Sequence, residues 1–181
     1  MKNMLVAELE KHHREFESIY KKIKQKCEDK KEEERDVEFC RKSFFELKKL
    51  VSAHAKAEEI ALYSIFENTS GEGEKLKELK HFSLEGFKEH ALVDQLMGEL
   101  EKGDYASDIW TASFTILREL LEHHIEEEEE EFFPKVGKAL GADALLDLSE
   151  IYKAEWLSLI EEDKMEQVRE QAFESETRVN D

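Results

Sequence analysis

The chain has 181 residues, enough for one domain with a full core, and 40% of them are charged. Its formal net charge of −18 argues against nucleic acid and against an anionic membrane surface, because both need basic patches. One Pro and seven Gly leave little to break a helix, and abundant Glu, Lys, Leu and Ala favour one, so an all-α protein is expected.

Residues 2 to about 30 form the first expected helix, with Leu5, Leu9, Phe16, Ile19 and Ile23 at three- and four-residue steps. His12 and His13 interrupt that stripe. The charged run around Lys31 has no apolar face and holds the first turn, and Asp36 is the N-cap candidate for the second helix. That helix spans about 36–67, with Phe39, Phe44, Leu47, Leu50, Val51, Ala57, Ala61, Ile65 and Phe66 facing inward. The cluster from Asn68 to Gly73 ends it. The third spans about 74–102, with Leu76, Leu79, Phe82, Phe87, Leu92, Val93, Leu96 and Leu100 as its stripe and His90 within it. The fourth spans about 106–140, with Pro134 bending or weakening it and Gly141 as the residue that closes it. The fifth, about 142–173, carries Leu145, Leu148, Ile151, Tyr152, Trp156, Leu159 and Ile160 before a polar tail.

Four helices of similar length with short connections predict an up-down-up-down bundle over 1–140. The C-terminal helix and tail, 141–181, pack outside it or form a homodimer contact. Cys27 and Cys40 fit no C-x-x-C pattern and suggest neither a thiolate metal site nor a disulfide scaffold. The first residues turn charged too soon for a signal peptide, and no run is apolar enough to span a bilayer, so a soluble cytoplasmic protein is expected.

The informative pattern is a repeat. Leu47, Leu50, Val51, His54, Glu58, Leu62 and Tyr63 match Leu117, Leu120, Leu121, His124, Glu128, Phe132 and Phe133 in order and spacing. A His and a Glu four residues apart share one helix face. Residues 126–131 are all Glu, so by spacing alone His123 with Glu127 fits as well as His124 with Glu128. The register with the second helix selects His124 and Glu128. The first helix adds His13 or His12, and the third adds His90. Burying several imidazoles and two carboxylates is costly unless a cation or other charge compensates them. Mixed imidazole and carboxylate ligands suit iron, manganese or zinc, and bundle cores hold dinuclear carboxylate-bridged sites.

The segments L-E-K-H-H-R-E-F, V-S-A-H-A-K-A-E-E-I-A-L-Y, E-G-F-K-E-H-A-L-V and L-E-H-H-I-E-E-E-E-E-E-F-F-P together resemble a hemerythrin-like, HHE cation-binding domain over about residues 5–136. The resemblance implies a four-helix bundle with a non-haem centre of two iron ions. It implies His13, His54, Glu58, His90, His124 and Glu128 as ligands, with both Glu bridging. It favours His13 over His12 because Phe16 follows at the family's step. The oxygen carriers of the family have a further His where this chain has Asp94, and an Asp version of the last motif. A more carboxylate-rich site favours ferric iron, which points away from oxygen transport.

The function this implies is a di-iron protein that binds, senses or reacts with O2, peroxide or NO, with iron handling as a further option. Binding and peroxide-decomposing catalysis both remain open. The competing class is a metal-free structural or interaction protein that works through its C-terminal helix.

Overall fold

The structure is a computed structural model that describes residues 4–68 and 73–179, with side chains of the last helix to residue 162. The turn expected at 68–73 falls mainly on residues 69–72, outside the described residues. The described residues contain helices and no strand.

Helix α1 (Met4–Ile23) runs into a π-helical turn, Lys24–Glu28. Helix α2 (Val37–Glu58) continues through a π-helical segment, Glu59–Tyr63, into the short α3 (Ser64–Glu67). Helix α4 spans Glu74–Glu101. Helix α5 (Asp108–Glu127) continues through a second π-helical segment, Glu128–Phe132, into α6 (Phe133–Ala139). Helix α7 spans Ala142–Val179. The four bundle rods and the added C-terminal helix stand as expected.

Local chemistry sets the ends. Asp36 caps α2 by accepting from the Phe39 amide at 3.2 Å, and Ser107 caps α5 by accepting from the Trp110 amide at 3.1 Å. Pro134 sits in the first turn of α6, where its missing N–H costs least, directly after the π-helical segment. Gly141 does not close α6 in a left-handed conformation. Leu140 leaves the helix extended, and the Gly141 carbonyl instead accepts from the Leu145 amide at the start of α7. Helix α7 runs past 173 because no Gly or Pro stops it.

Two apolar clusters fill the bundle. One holds Phe16, Ile23, Phe44, Leu47, Trp110 and Phe114; the other holds Leu5, Leu9, Leu62, Phe66, Phe132 and Tyr152. The repeated His and Glu lie between them along each rod. Helix α7 packs on α1, α2 and the Glu59–Tyr63 segment. Two stripe residues are on the wrong side of the expectation. Leu92 is 54% exposed and Ile151 is 43% exposed. In α4 the buried line is Leu79, Ser83, Gly86, His90, Val93, Met97 and Leu100, a strict alternation of four- and three-residue steps that leaves Leu92 off the seam.

Cys27 and Cys40 are paired and fully buried, with Cα atoms 6.5 Å apart. Spacing gave no sign of this, because the turn between α1 and α2 folds back to bring them together. The bridge closes a short loop, for which chain-entropy arguments give about 3 kcal/mol. Urea unfolding should therefore show the Cys40→Ser protein, or the reduced wild type, less stable by about 2–4 kcal/mol than the oxidised protein. An unchanged midpoint would show that the bridge adds nothing.

Candidate metal centre

The two rods that carry the repeat also share a backbone irregularity. A π-helical segment starts immediately after Glu58 in one and at Glu128 in the other. Such bulges are frequent at functional sites because the extra residue re-aims side chains. Here they fall where the buried face changes from polar ligand atoms to Leu62, Tyr63, Phe132 and Phe133.

All six expected site residues come together and are buried: His13, His54, Glu58, His90, His124 and Glu128. The four imidazoles turn Nε2 inward. His13 and His54 approach through Nε2 at 3.2 Å, and His90 and His124 at 3.1 Å. Glu58 Oε2 lies 3.5 Å from His54 Nε2 and 3.8 Å from His90 Nε2. Glu128 Oε2 lies 3.3 Å from His13 Nε2 and 3.5 Å from His124 Nε2. Each carboxylate thus reaches both imidazole pairs. The ligand atoms form two groups, His13 with His54 and Glu128, and Glu58 with His90 and His124, each within 4.8 Å.

Every Nδ1 of the four has an outer partner. His13 meets Glu129 at 2.8 Å, His54 meets Tyr152 at 2.7 Å, His90 meets Glu59 at 3.3 Å and His124 meets Glu89 at 2.7 Å. This is the arrangement that fixes an imidazole in the form that offers Nε2 to a cation. The cradle fits a metal on a second ground. Glu58 Oε1 and Oε2 and Glu128 Oε2 are buried without a hydrogen-bond partner, which is costly unless something positive sits among them.

The charge balance follows from these contacts. Burial, then the neighbouring Glu128 carboxylate, hold Glu58 well above the usual carboxylate range. Burial also pushes Glu128 up, but His124 and His13 outweigh it and draw it down. Burial pulls His13 down, and the adjacent Glu128 and Glu129 carboxylates more than restore it. Burial lowers His54 strongly, and the neighbouring His13 adds to that. So, without a cation, these contacts bias Glu58 toward its protonated form and Glu128 toward its ionised form.

Placement separates the two members of each pair left open in sequence. His124 is buried, whereas the His123 side chain is 60% exposed. Both His12 and His13 are buried, but only His13 turns toward Glu128; His12 faces Tyr152. Asp94 joins neither group. It is exposed and lines a groove of about 310 Å³ between α2 and α4. Val51, Ala55, His90 and Val93 line both that groove and an inner apolar cavity of about 20 Å³ beside all four imidazoles.

The outer partners were missed in sequence, although a signal existed. Each H-x-x-x-E motif continues as Glu-Glu, and the second Glu of each doublet serves an imidazole from another helix: Glu59 for His90 and Glu129 for His13. Tyr63 also does more than pack. Its hydroxyl donates to Glu128, and its ring stacks on His90 with centroids 5.3 Å apart. Gly86 makes room for that ring, since a Cβ there would lie 2.5 Å from Tyr63 Cε2. Gly86→Ala should lower stability by about 1–3 kcal/mol through overpacking, read as a lower thermal midpoint. An equal or higher midpoint would mean that Tyr63 can shift without loss.

The family model of the hemerythrin HHE cation-binding domain matches residues 4–136. Comparison with curated proteins and with solved structures finds no match. A helical bundle, inward His and Glu on its four rods, and a family match over most of the chain agree: this protein belongs to the hemerythrin HHE cation-binding family.

Proposed function

We propose that the protein binds two iron ions, with His13, His54, His90 and His124 as terminal ligands and Glu58 and Glu128 as bridges, and that the centre binds, senses or reacts with O2, NO or peroxide. The observation that carries this reading is the convergence, on one buried centre, of four Nε2 atoms and two carboxylates with three unpartnered oxygens between them. Bound iron would supply redox change and an open coordination position. The chain supplies the rest. Its outer Glu and Tyr partners hold the imidazoles, and its two apolar clusters limit access of bulk water. The inner cavity of about 20 Å³ has room for one small molecule beside the imidazoles, and its apolar lining suits an uncharged diatomic. The groove that shares a wall with it is the route by which such a ligand would enter.

Asp94 stays outside the site, so the His90 and His124 side has two imidazoles rather than three. That favours sensing or reaction over reversible carriage. The bundle over 1–140 is the iron-binding unit in this reading, and 141–181 supports it. A cytoplasmic setting belongs to this reading, and the buried Cys27–Cys40 bridge would be an exception to the reduced thiols usual there. Homodimerisation through the outer face of α7 would use its exposed Leu146 and Leu157.

The test is anaerobic loading with ferrous iron, removal of loose metal and a metal count. Two ions per chain are expected, and fewer than one would sink the reading. Adding O2, NO or peroxide to the loaded protein should then change its optical spectrum. A reversible change identifies binding or sensing, and bleaching with oxygen release from peroxide identifies catalysis.

A further inference from the structure

Helix α7 lies beyond the matched segment of residues 4–136, yet it places a hydroxyl directly behind the site. Tyr152 is fully buried. Its Oη lies 2.7 Å from His54 Nδ1 and 2.5 Å from His12 Nδ1. One phenol is thus shared by two imidazoles from two helices. An imidazole that offers Nε2 to a cation carries its proton on Nδ1. His54 Nδ1–H therefore donates to Tyr152 Oη. The phenol's own proton must then go to its other neighbour, so Tyr152 O–H donates to His12 Nδ1. His12 is held in turn by Trp156, also from α7, whose ring stacks on it with centroids 4.5 Å apart.

We propose that Tyr152 is a positioning residue for the metal site. It fixes the ring plane and the Nδ1–H form of His54, and His12 is the acceptor that keeps the phenol's proton out of the way. This makes α7 part of the centre, and it gives His12 a role that its neighbour His13 does not share. The inference rests on the reading of the site as a two-ion centre. The effect is local: His13, His90 and His124 take their outer bonds from Glu129, Glu59 and Glu89 instead.

That asymmetry gives the test. Ferrous iron is titrated anaerobically into wild type and Tyr152→Phe in competition with a coloured chelator. In Tyr152→Phe, one of the two ions should bind at least about tenfold more weakly and the other as in wild type, because loss of an outer partner costs about 10–100-fold. Ile151→Ala, on the exposed side of α7 next to Tyr152, touches none of these groups and should leave both ions within about twofold of wild type, below the about tenfold loss expected for an outer partner. Two ions at wild-type affinity in Tyr152→Phe would overturn the inference and leave the two-ion reading intact. Equal weakening of both ions would also overturn it, since that marks a packing defect. A wild-type chain that takes no iron would overturn the reading of the site together with this inference. Should Tyr152→Phe not fold, His12→Phe decides. It removes the acceptor, frees the phenol proton to compete at His54 Nδ1, and must weaken the same single ion; no change would sink the proposal.

Discussion

For the proposed two-ion centre, His54→Ala is expected to cut iron in the loaded protein to one ion per chain or fewer, while His12→Ala and His123→Ala retain two at saturating iron. His54 Nε2 lies between His13 Nε2 and Glu58 Oε2, at 3.2 and 3.5 Å. Its loss leaves one group with a single imidazole and leaves a void in a fully enclosed layer. His12 differs in kind: its Nδ1 reaches Tyr152, so its loss changes how tightly one ion is held rather than whether it binds. His123 faces solvent, and its nearest acidic partner is Glu127 at 3.6 Å. Metal analysis after anaerobic loading and desalting checks all three. Loss of iron from His123→Ala would place the fourth-rod ligand wrongly. Loss from His12→Ala with retention in His13→Ala would reverse the assignment in the first rod.

The rods were legible because each carries its own periodicity and its own stops. Leu5, Leu9, Phe16, Ile19 and Ile23 are buried as their spacing requires, and Asp36 caps α2. The six inward residues were legible because two rods repeat one frame and the register of the clearer copy selects His124 and Glu128 from a run of Glu. What the sequence hid depends on contacts between rods. Leu92 and Ile151 are apolar, but the packed seam runs beside them. Met97 and Gly86 are on the seam in α4 because a neighbouring rod fits there, Gly86 against the Tyr63 ring. The pairing of Cys27 with Cys40 arises from a turn whose path local propensity does not determine.

The outer ring around the site was hidden for a different reason. Glu59, Glu89 and Glu129 belong to a chain in which Glu is common, and most such residues are solvated. The Glu-Glu doublets single out Glu59 and Glu129, but which imidazole each of the three meets shows only in the fold. Tyr152 is the extreme case. It reads as one member of an apolar stripe, and it is buried as such, but its hydroxyl points at two His residues from α1 and α2.

Glu58→Gln will lower bound iron below one ion per chain and, at pH 7, make the metal-free protein more stable than wild type. The first effect follows from position. Glu58 Oε2 reaches an imidazole of each pair, so its loss weakens both ions rather than one. The second follows from proton linkage. Burial and then Glu128 hold the folded Glu58 well above its ordinary value, so the folded metal-free chain keeps a proton that the unfolded chain releases above about pH 4.3. The folded state then binds more protons, and stability falls as pH rises from there toward the raised value. Glutamine is neutral at every pH and removes that fall. At pH below 4 wild type and variant should be alike, and at pH 7 the variant should be the more stable. Glu128→Gln has the opposite sign. Burial raises Glu128, but His124 and then His13 stabilise its ionised form and outweigh that, so its folded value is lowered. The stability it contributes is present above the unfolded carboxylate range and is lost as pH falls through the folded value. Glu128→Gln should therefore weaken the metal-free protein at pH 7. Urea unfolding of the two metal-free variants at pH 4 and pH 7 reads both signs. Shifts in the same direction at pH 7 would refute the division of the pair into one neutral and one ionised carboxyl.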